Sequence, residues 1–214
     1  MSNEIRVWDP LVRIFHWSLV LAFTVAYLSG EEESSVHIYA GYVVLGLISF
    51  RLAWGFIGSH HARFKNFIYS PKRLTQYLKS LMAKKPEHYL GHNPAGGYMI
   101  VAMLTCLVVV TISGLKVYAI EEGKGLLAAN TPTLTIINSS YADSNEYEDD
   151  EDDEYESGYK GDKEGEEFWE EIHEISSNLM LLLIFLHVAG VVVSSRLHGE
   201  NLVKAMFNGK KHNI

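Results

Sequence analysis

Four of the ten histidines occur within long apolar stretches of the sequence or at their ends: His16, His37, His173 and His187. An ionisable side chain at membrane depth is costly and usually serves a function. Imidazole nitrogens bind transition metals, including the iron of haem. This set of histidines therefore predicts metal ligation, whereas the other six fall in connections or in the C-terminal tail, where solvation explains them.

Four apolar stretches must position these histidines, and each is long enough to cross a bilayer, which takes about 20 residues. They cover roughly residues 11–30, 37–58, 97–118 and 172–196. The 214 residues are therefore predicted to form a single all-α domain, an integral membrane four-helix bundle. The only cysteine, Cys106, excludes an internal disulfide and the C-x-x-C-H motif that attaches haem covalently.

The distribution of Lys and Arg predicts which side of the membrane each connection faces. Residues 59–96 carry seven Lys or Arg and one acid, and the tail from Arg196 carries four bases and one acid. Both segments are assigned to the cytoplasm, and so are both chain termini. The first connection contains residues 31–33, three glutamates without a base, and the loop 119–171 carries eighteen acids and three bases, so both are assigned to the outer side.

These orientations set the depth of each histidine. Span one begins inside and span two outside, which places His16 at the inner level and His37 at the outer level. His173 and His187 are 14 residues apart, or about 21 Å along a helix axis, and lie near the outer and inner levels respectively. Depth therefore pairs His16 with His187, and His37 with His173.

Two facing imidazoles at each of two depths suit two haems with bis-histidine ligation. Zinc normally takes three or four protein ligands, and Cys, Asp and Glu are absent at those depths. Iron with both axial positions filled leaves no position for substrate, so the expected chemistry is electron transfer. Arg51 could neutralise a haem carboxylate or snorkel to the headgroups, and Gly41 and Gly190 could admit the macrocycle or serve helix packing.

Several segments together resemble the bacterial cytochrome b561 family, which includes the b-type cytochrome subunits of nickel-iron hydrogenases. They are VWDPLVRIFHWSLV around His16, HIYAGYVVLGLISFRLAWGFIG from His37, GHNPAGG before span three, and HEISSNLMLLLIFLHVAGVVVSSRLHGENLVKAMFNGKK at the end. The resemblance covers about residues 5–119 and 168–211. It implies two non-covalent b haems, one ligated by His16 and His187 and the other by His37 and His173.

The resemblance also implies a function and a location. Such cytochromes carry electrons between the membrane quinone pool and a partner on the outer side. The expected setting is the bacterial inner membrane, with lipid and quinone bound, and the expected partner is a periplasmic c-type cytochrome, a dehydrogenase or a hydrogenase. No nucleic-acid partner is expected, and association of several copies stays open.

Alternatives to this function also stay open. One is a quinone oxidoreductase that acts directly on a small oxidant such as superoxide. Another is a haem-free anchor or proton-relay protein that uses the same histidines. The sequence alone does not decide whether the chain is an electron-transfer protein or a subunit of an oxidoreductase.

Two charged segments outside the spans carry further expectations. The stretch SPKRLTQYLKSLMAKK has apolar residues at helical spacing among bases. It predicts an amphipathic helix that lies on the anionic leaflet or packs on the bundle. The acidic stretch 143–167, with fourteen acids, cannot bury enough apolar surface to fold alone. It is either a solvated linker or an electrostatic docking site for a basic soluble partner.

Overall fold

The computed structural model of the chain describes residues 4–30, 34–83, 87–128 and 152–212, with side chains from residue 165 onward in the last range. The acidic residues 31–33 and most of the acidic stretch 143–167 therefore lie outside the described side chains. The chain divides into two compact units. The first unit is Met1–Val108 with Ser177–Ile214, and the second unit is Val109–Ser176.

The described residues form six α-helices and one antiparallel pair of short strands. In chain order they are β1 (Glu4–Arg6), α1 (Pro10–Leu28), α2 (Ser35–Ile57), α3 (Pro71–Met82), α4 (Pro94–Glu121), α5 (Asp152–His198), α6 (Leu202–Asn208) and β2 (Lys210–His212), with a 3₁₀ turn at Phe64–Asn66. α1, α2, α4 and the part Gly165–His198 of α5 are long and apolar enough to cross a membrane. The prediction of four membrane-length helices is confirmed.

Local sequence signals set where α1 and α2 begin. The Asp9 carboxylate caps α1 by accepting the backbone N–H of Val12 at 2.9 Å. Pro10 follows in the first turn, where its missing N–H costs nothing. Ser34 caps α2 in the same way by accepting the backbone N–H of His37. The cap therefore places the first candidate ligand of α2 in its first turn.

The fourth span belongs to a longer helix than the sequence predicts. α5 begins at Asp152, so the C-terminal part of the expected outer loop 119–171 is helical. Acidic residues near a helix N-terminus interact favourably with the helix dipole. Hydropathy detects only the apolar part of such a helix, which explains the difference.

The two ends of the chain pair with each other in the first unit. β1 and β2 are antiparallel, with Ile5 opposite Lys211. Gly209 leads from α6 into β2 with φ of 79°. A Cβ at this position would also lie 2.7 Å from the carbonyl oxygen of Trp8, so both the conformation and the close approach require glycine. The N-terminal and C-terminal segments therefore lie side by side.

Two glycines let the connection after α2 pack closely against the helices of the first unit. A Cβ at Gly55 would lie 2.0 Å from the ring of Phe64, and one at Gly97 would lie 2.3 Å from the carbonyl oxygen of Phe67. Phe67 is only 2% exposed. Glycine at both positions thus allows two aromatic rings to enter the interior beside α2 and α4.

α3 confirms the amphipathic helix predicted in this connection. Its Tyr77 is buried, whereas Leu78 and Met82 are exposed apolar residues on a neighbouring face. Lys72 and Lys79 are also exposed. α3 therefore packs on the protein through Tyr77 and leaves a second apolar edge, flanked by bases, available to the membrane surface.

A buried ionic cluster holds β2 against residues 87–93 in the first unit. The Glu200 carboxylate accepts hydrogen bonds from Lys211 Nζ at 3.0 Å and from His88 Nε2 at 2.9 Å. Lys211 also donates to the carbonyl oxygen of Tyr89. Burial would raise the pKa of Glu200, but the hydrogen bonds from His88 and Lys211 bring that pKa below its usual range.

In the second unit, the buried hydroxyls bond to helix backbone. Ser113 is fully buried, and its hydroxyl donates to the carbonyl oxygen of Val109 at 2.9 Å. The Ser176 hydroxyl donates to the carbonyl oxygen of His173 at 3.2 Å. Such bonds let polar residues lie inside an apolar helix without an unsatisfied donor.

Candidate functional site

The four span histidines divide between the two units. His16 on α1, His37 on α2 and His187 on α5 belong to the first unit, and His173 on α5 belongs to the second. Of the two pairs predicted from depth, only His16 and His187 lie within one unit.

His16 and His187 face each other in the first unit. Their ring centroids are 6.5 Å apart, and the ring planes are inclined by 49°. Two metal–nitrogen bonds of roughly 2 Å and two nitrogen-to-centroid distances of roughly 1.1 Å would put the centroids about 6.2 Å apart around a shared metal ion. The structure thus brings these two histidines together at a separation that suits one metal between them. Their role as ligands stays a prediction.

His16 also carries an unsatisfied polar atom. Its Nδ1 is buried and has no hydrogen-bond partner. The ring lies T-shaped to that of Trp17 at a centroid distance of 5.0 Å. Because buried polar atoms usually have a partner, this nitrogen is available to a group that is not part of the polypeptide.

His37 and His173 each donate a hydrogen bond from Nδ1 to a backbone carbonyl oxygen. The acceptor is Ala26 at 2.8 Å for His37, and Val110 at 2.9 Å for His173. Metal-binding histidines usually show this arrangement, since the Nδ1–H bond fixes the tautomer in which Nε2 has its lone pair for the metal. Each ring is oriented as a ligand within its own unit, and the pairing of the two stays a prediction.

Glycines make room for these rings. A Cβ at Gly114 would lie 2.8 Å from Cε1 of His173, and a Cβ at Gly30 would lie 3.4 Å from Nδ1 of His37. The sequence singles out Gly41 and Gly190 instead. A Cβ at either of those would meet no other atom within 4 Å, so the packing of the described protein does not require glycine there.

Arg51 lies inside the first unit and not at the membrane surface. It is 3% exposed, and its guanidinium lies 5.1 Å from the centroid of Phe64 and 6.0 Å from that of Phe67. Its Nη1 is buried and has no hydrogen-bond partner. Snorkelling would expose the guanidinium, whereas here it is buried beside two aromatic rings. The binding of a haem carboxylate by Arg51 stays a prediction.

Among the described residues, no span histidine belongs to a cluster of three or more side chains that could bind zinc. In the described part of the chain, Glu121, Glu166 and Glu170 of the second unit have carboxylate oxygens within 4.8 Å of one another. No comparable group of three or more His, Cys, Asp or Glu side chains in that part includes a span histidine. Histidine pairs without further protein ligands suit haem and lack the ligands of a zinc site.

One further residue, His92, is absent from the candidates that the sequence marks. Its ring lies 4.4 Å from that of Trp8 and 4.7 Å from that of Phe67, and its Nδ1 is buried without a partner. Burial, and then the charges of Arg51 and Lys211, lower the pKa of His92 to about 3. Its position within GHNPAGG, a segment that carries the family resemblance, is the signal that could have identified it.

The comparison with family models agrees with this geometry. The model for prokaryotic cytochrome b561 matches residues 7–209, nearly the whole chain. The chain belongs to the prokaryotic cytochrome b561 family. The resemblance found in the sequence is therefore confirmed, and the chain is a multi-pass membrane cytochrome of the b type, for which the family implies haem b.

Relatives of the cytochrome have a more specific name. The probable Ni/Fe-hydrogenase B-type cytochrome subunits of Bradyrhizobium diazoefficiens, Rhizobium leguminosarum bv. viciae and Azotobacter vinelandii are 26%, 26% and 27% identical to it. The alignments cover 57–58% of this chain and 60–62% of those relatives. The cytochrome thus spans about three fifths of their length. No solved structure matches it.

The first unit of the cytochrome has groups that fit haem b. His16 and His187 provide two imidazoles at the separation that one iron requires. Arg51 provides a buried guanidinium with an unsatisfied N–H. A dicarboxylate macrocycle with a central iron needs both kinds of group, axial nitrogens and a cation.

Proposed function

We propose that this cytochrome holds two b haems, one on His16 and His187 and the other on His37 and His173. In this proposal it transfers electrons between membrane quinone and a redox protein on the outer side of the bacterial inner membrane. The observation that carries the proposal is the 6.5 Å separation of the facing His16 and His187 rings. When bound, the haem irons supply one-electron redox chemistry.

The residues of the chain favour electron transfer over chemistry on a small substrate. Two imidazoles on one iron leave no coordination position for oxygen or another ligand. The hydrogen bonds from Nδ1 of His37 and His173 to carbonyl oxygens hold each ring in place and make Nε2 more basic. Rings held in this way would stay in place as a bound haem changes its redox state, which would keep reorganisation small.

The proposed topology has both termini and residues 59–96 on the cytoplasmic side. The pairing of β1 with β2 supports a common side for the two ends. Lys72 and Lys79 of α3 are exposed beside the apolar residues Leu78 and Met82, as expected for a helix that contacts an anionic cytoplasmic leaflet. The His16–His187 site would then lie near the inner face, and His37 and His173 near the outer face.

The proposed outer partner is a hydrogenase or a c-type cytochrome. Relatives named as hydrogenase cytochrome subunits support the first. Support for a basic partner comes from the second unit, where Glu167, Glu170 and Glu171 are exposed within two turns of His173. Exposed Phe168, on the same part of α5, could add an apolar contact. Opposite charge accelerates encounter without requiring a large interface.

Electron exchange in lipid nanodiscs tests the proposed function. The purified full chain should show a b-type reduced-minus-oxidised spectrum, become reduced on addition of a quinol, and then become oxidised by a basic cytochrome c. His187→Ala should slow this transfer strongly, whereas His60→Ala, at an exposed position in a connection, should not. Reduction by dithionite but not by quinol would contradict the proposed electron donor. Electron transfer to superoxide, but to no redox protein, would favour the alternative of a quinone oxidoreductase that acts directly on a small oxidant.

A further inference from the structure

Two buried nitrogen atoms without partners lie beside one aromatic ring of the first unit. The Arg51 guanidinium is 6.0 Å from the centroid of Phe67, and the centroid of the His92 ring is 4.7 Å from the same centroid. Arg51 Nη1 and His92 Nδ1 are both buried, and neither has a hydrogen-bond partner. Phe67 is itself 2% exposed, so both nitrogens lie in the protein interior.

The Arg51 guanidinium makes no ion pair with a described carboxylate, and the charge of Asp9 acts on it only at longer range. Among the described residues, no carboxylate lies within ion-pairing distance of it. Asp9, whose charge reaches Arg51, is already engaged. Its oxygens accept hydrogen bonds from the backbone N–H of Val12, Nε1–H of Trp54 and the hydroxyl of Ser59. A buried cation with an open N–H is costly, and so this region requires an anion from elsewhere.

The surroundings of His92 are also positive. The charged and titratable groups that act on it are Arg51, Lys211, His61 and His187. Glu200 offsets the charge of Lys211 at 3.0 Å, which leaves Arg51 as the charge without an ion-pair partner. The charge of Arg51, which helps to disfavour a proton on the imidazole, attracts an anion. The charge of His187, a candidate iron ligand in the same unit, also acts on His92.

We infer that Arg51 and His92 together bind a carboxylate of the haem held by His16 and His187. This inference rests on the proposed function. Haem b carries two propionate carboxylates, and a guanidinium N–H together with an imidazole N–H gives such a group charge-assisted hydrogen bonds. His92 thereby acts as a positioning residue for the haem, and the buried Phe67 ring packs beside both groups.

The test uses the full-length holoprotein and substitutions that keep the packing. His92→Phe retains a ring against Trp8 and Phe67 but removes the N–H, whereas His92→Gln retains an N–H donor. Arg51→Gln removes the charge. His60→Phe is the matched control, at an exposed position in the connection before α3. The redox wave that is absent from His187→Ala identifies the relevant haem.

The readouts are the midpoint potential of this haem and its rate of loss to an apo-globin acceptor. Arg51→Gln removes the cation and His92→Phe removes a neutral N–H donor, so in either variant the carboxylate charge is less well compensated and disfavours the added electron. Both substitutions should therefore lower the potential. Both should speed haem loss about tenfold, because each removes a charge-assisted hydrogen bond. His92→Gln should restore most of both properties, and His60→Phe should change neither.

A haem without free carboxylates identifies the anion. Loaded with iron protoporphyrin dimethyl ester, the wild-type protein should lose its haem as fast as His92→Phe does, and His92→Phe should lose the ester no faster than wild type. If His92→Phe destabilises the ester form as strongly as the haem form, the bound anion is not a haem carboxylate and the inference is overturned.

The outcomes separate this inference from the proposed function. Unchanged potential and unchanged haem loss in both His92→Phe and Arg51→Gln, with two b haems present, overturn the inference alone. A wild-type protein that holds no bis-histidine b haem overturns both. Should His92→Phe fail to fold, then Arg51→Gln and the ester form decide.

Discussion

At the scale of single residues, two candidate ligands are oriented by backbone groups. His37 and His173 donate Nδ1–H to carbonyl oxygens of Ala26 and Val110. A main-chain carbonyl does not titrate and has no rotamers, so these partners persist when side chains around them change. The space available to each ring, in contrast, depends on side chains. Gly114 is the position where that space is smallest, with a Cβ 2.8 Å from the His173 ring.

Gly114→Ala should therefore displace the His173 ring and weaken the haem site proposed for His37 and His173. We expect the haem content to fall by about one haem per chain, or that haem to dissociate at least tenfold faster, because a clash in a packed site costs about 1–3 kcal/mol. Pyridine haemochromogen assays on purified protein measure this. Gly46→Ala is the matched control, since a Cβ there meets nothing within 4 Å. Full haem content and unchanged haem loss in Gly114→Ala would show that the ring tolerates the methyl group.

The residue scale also shows what sequence can and cannot predict. His16 and His187 were expected to be close, and they are, because depth follows from helix direction and rise per residue. His92 gave no such signal. The burial of His92 depends on Gly55 and Gly97, because only glycine leaves room for Phe64 and Phe67 to pack there. Such contacts between distant segments follow no periodic pattern in the sequence.

At the scale of elements, the C-terminal strand depends on a buried ion pair. Glu200 and Lys211 are 9% and 8% exposed and lie 3.0 Å apart. Lys211→Met leaves the Glu200 carboxylate buried without its cation, which should cost about 3 kcal/mol and lower the melting temperature. Lys204→Met, at an exposed position on α6, should have little effect. Thermal unfolding followed by circular dichroism compares the two, and equal melting temperatures would mean that the pair adds no stability.

The same cluster predicts a pH dependence. Because hydrogen bonds hold the pKa of Glu200 below its ordinary value of 4.5, its carboxylate stabilises the folded state above pH 4.5. That contribution should be lost as the pH falls below 4.5 and through the folded-state pKa. The stability difference between wild type and Glu200→Gln should accordingly be constant at higher pH and shrink in acid. If the stability difference grows as the pH falls, the pKa of Glu200 is not lowered in the folded protein and the prediction is wrong.

Helix bounds illustrate the limit of prediction for elements. Apolar windows located four helices because burial in lipid demands about 20 apolar residues. They did not locate the start of α5 at Asp152, because the charged residues that begin this helix give no hydropathy signal. Hydropathy thus predicts that a fourth helix exists but not where it begins.

At the scale of the whole molecule, the charge distribution predicts the topology. A single cysteine introduced at exposed Lys65 should react with an impermeant thiol reagent only from the cytoplasmic side. One introduced at exposed Glu122 should react only from the outer side. Cys106, at 6% exposure, provides a low background. Labelling of both positions from one side would contradict the orientation, and with it the depth assigned to each histidine.

The acidic stretch 143–167 makes a prediction about the partner. Its fourteen acids should attract a basic carrier, and salt should weaken that attraction over a Debye length of about 8 Å at physiological ionic strength. Deleting residues 143–163 should slow electron exchange with a basic cytochrome c at low salt and leave both haems in place. Stopped-flow mixing across a salt series measures the rate. Equal rates with and without the segment would make it a solvated linker.

Haem stoichiometry tests the central claim most directly. Purified full-length protein should contain two b haems per chain by pyridine haemochromogen assay. His187→Ala should retain one, because the His37 and His173 site does not depend on it. His198→Ala, on the same helix but bonded to the backbone of Ser194 and Glu87, should retain two. Two haems in His187→Ala, or none in the wild-type chain, would contradict the account.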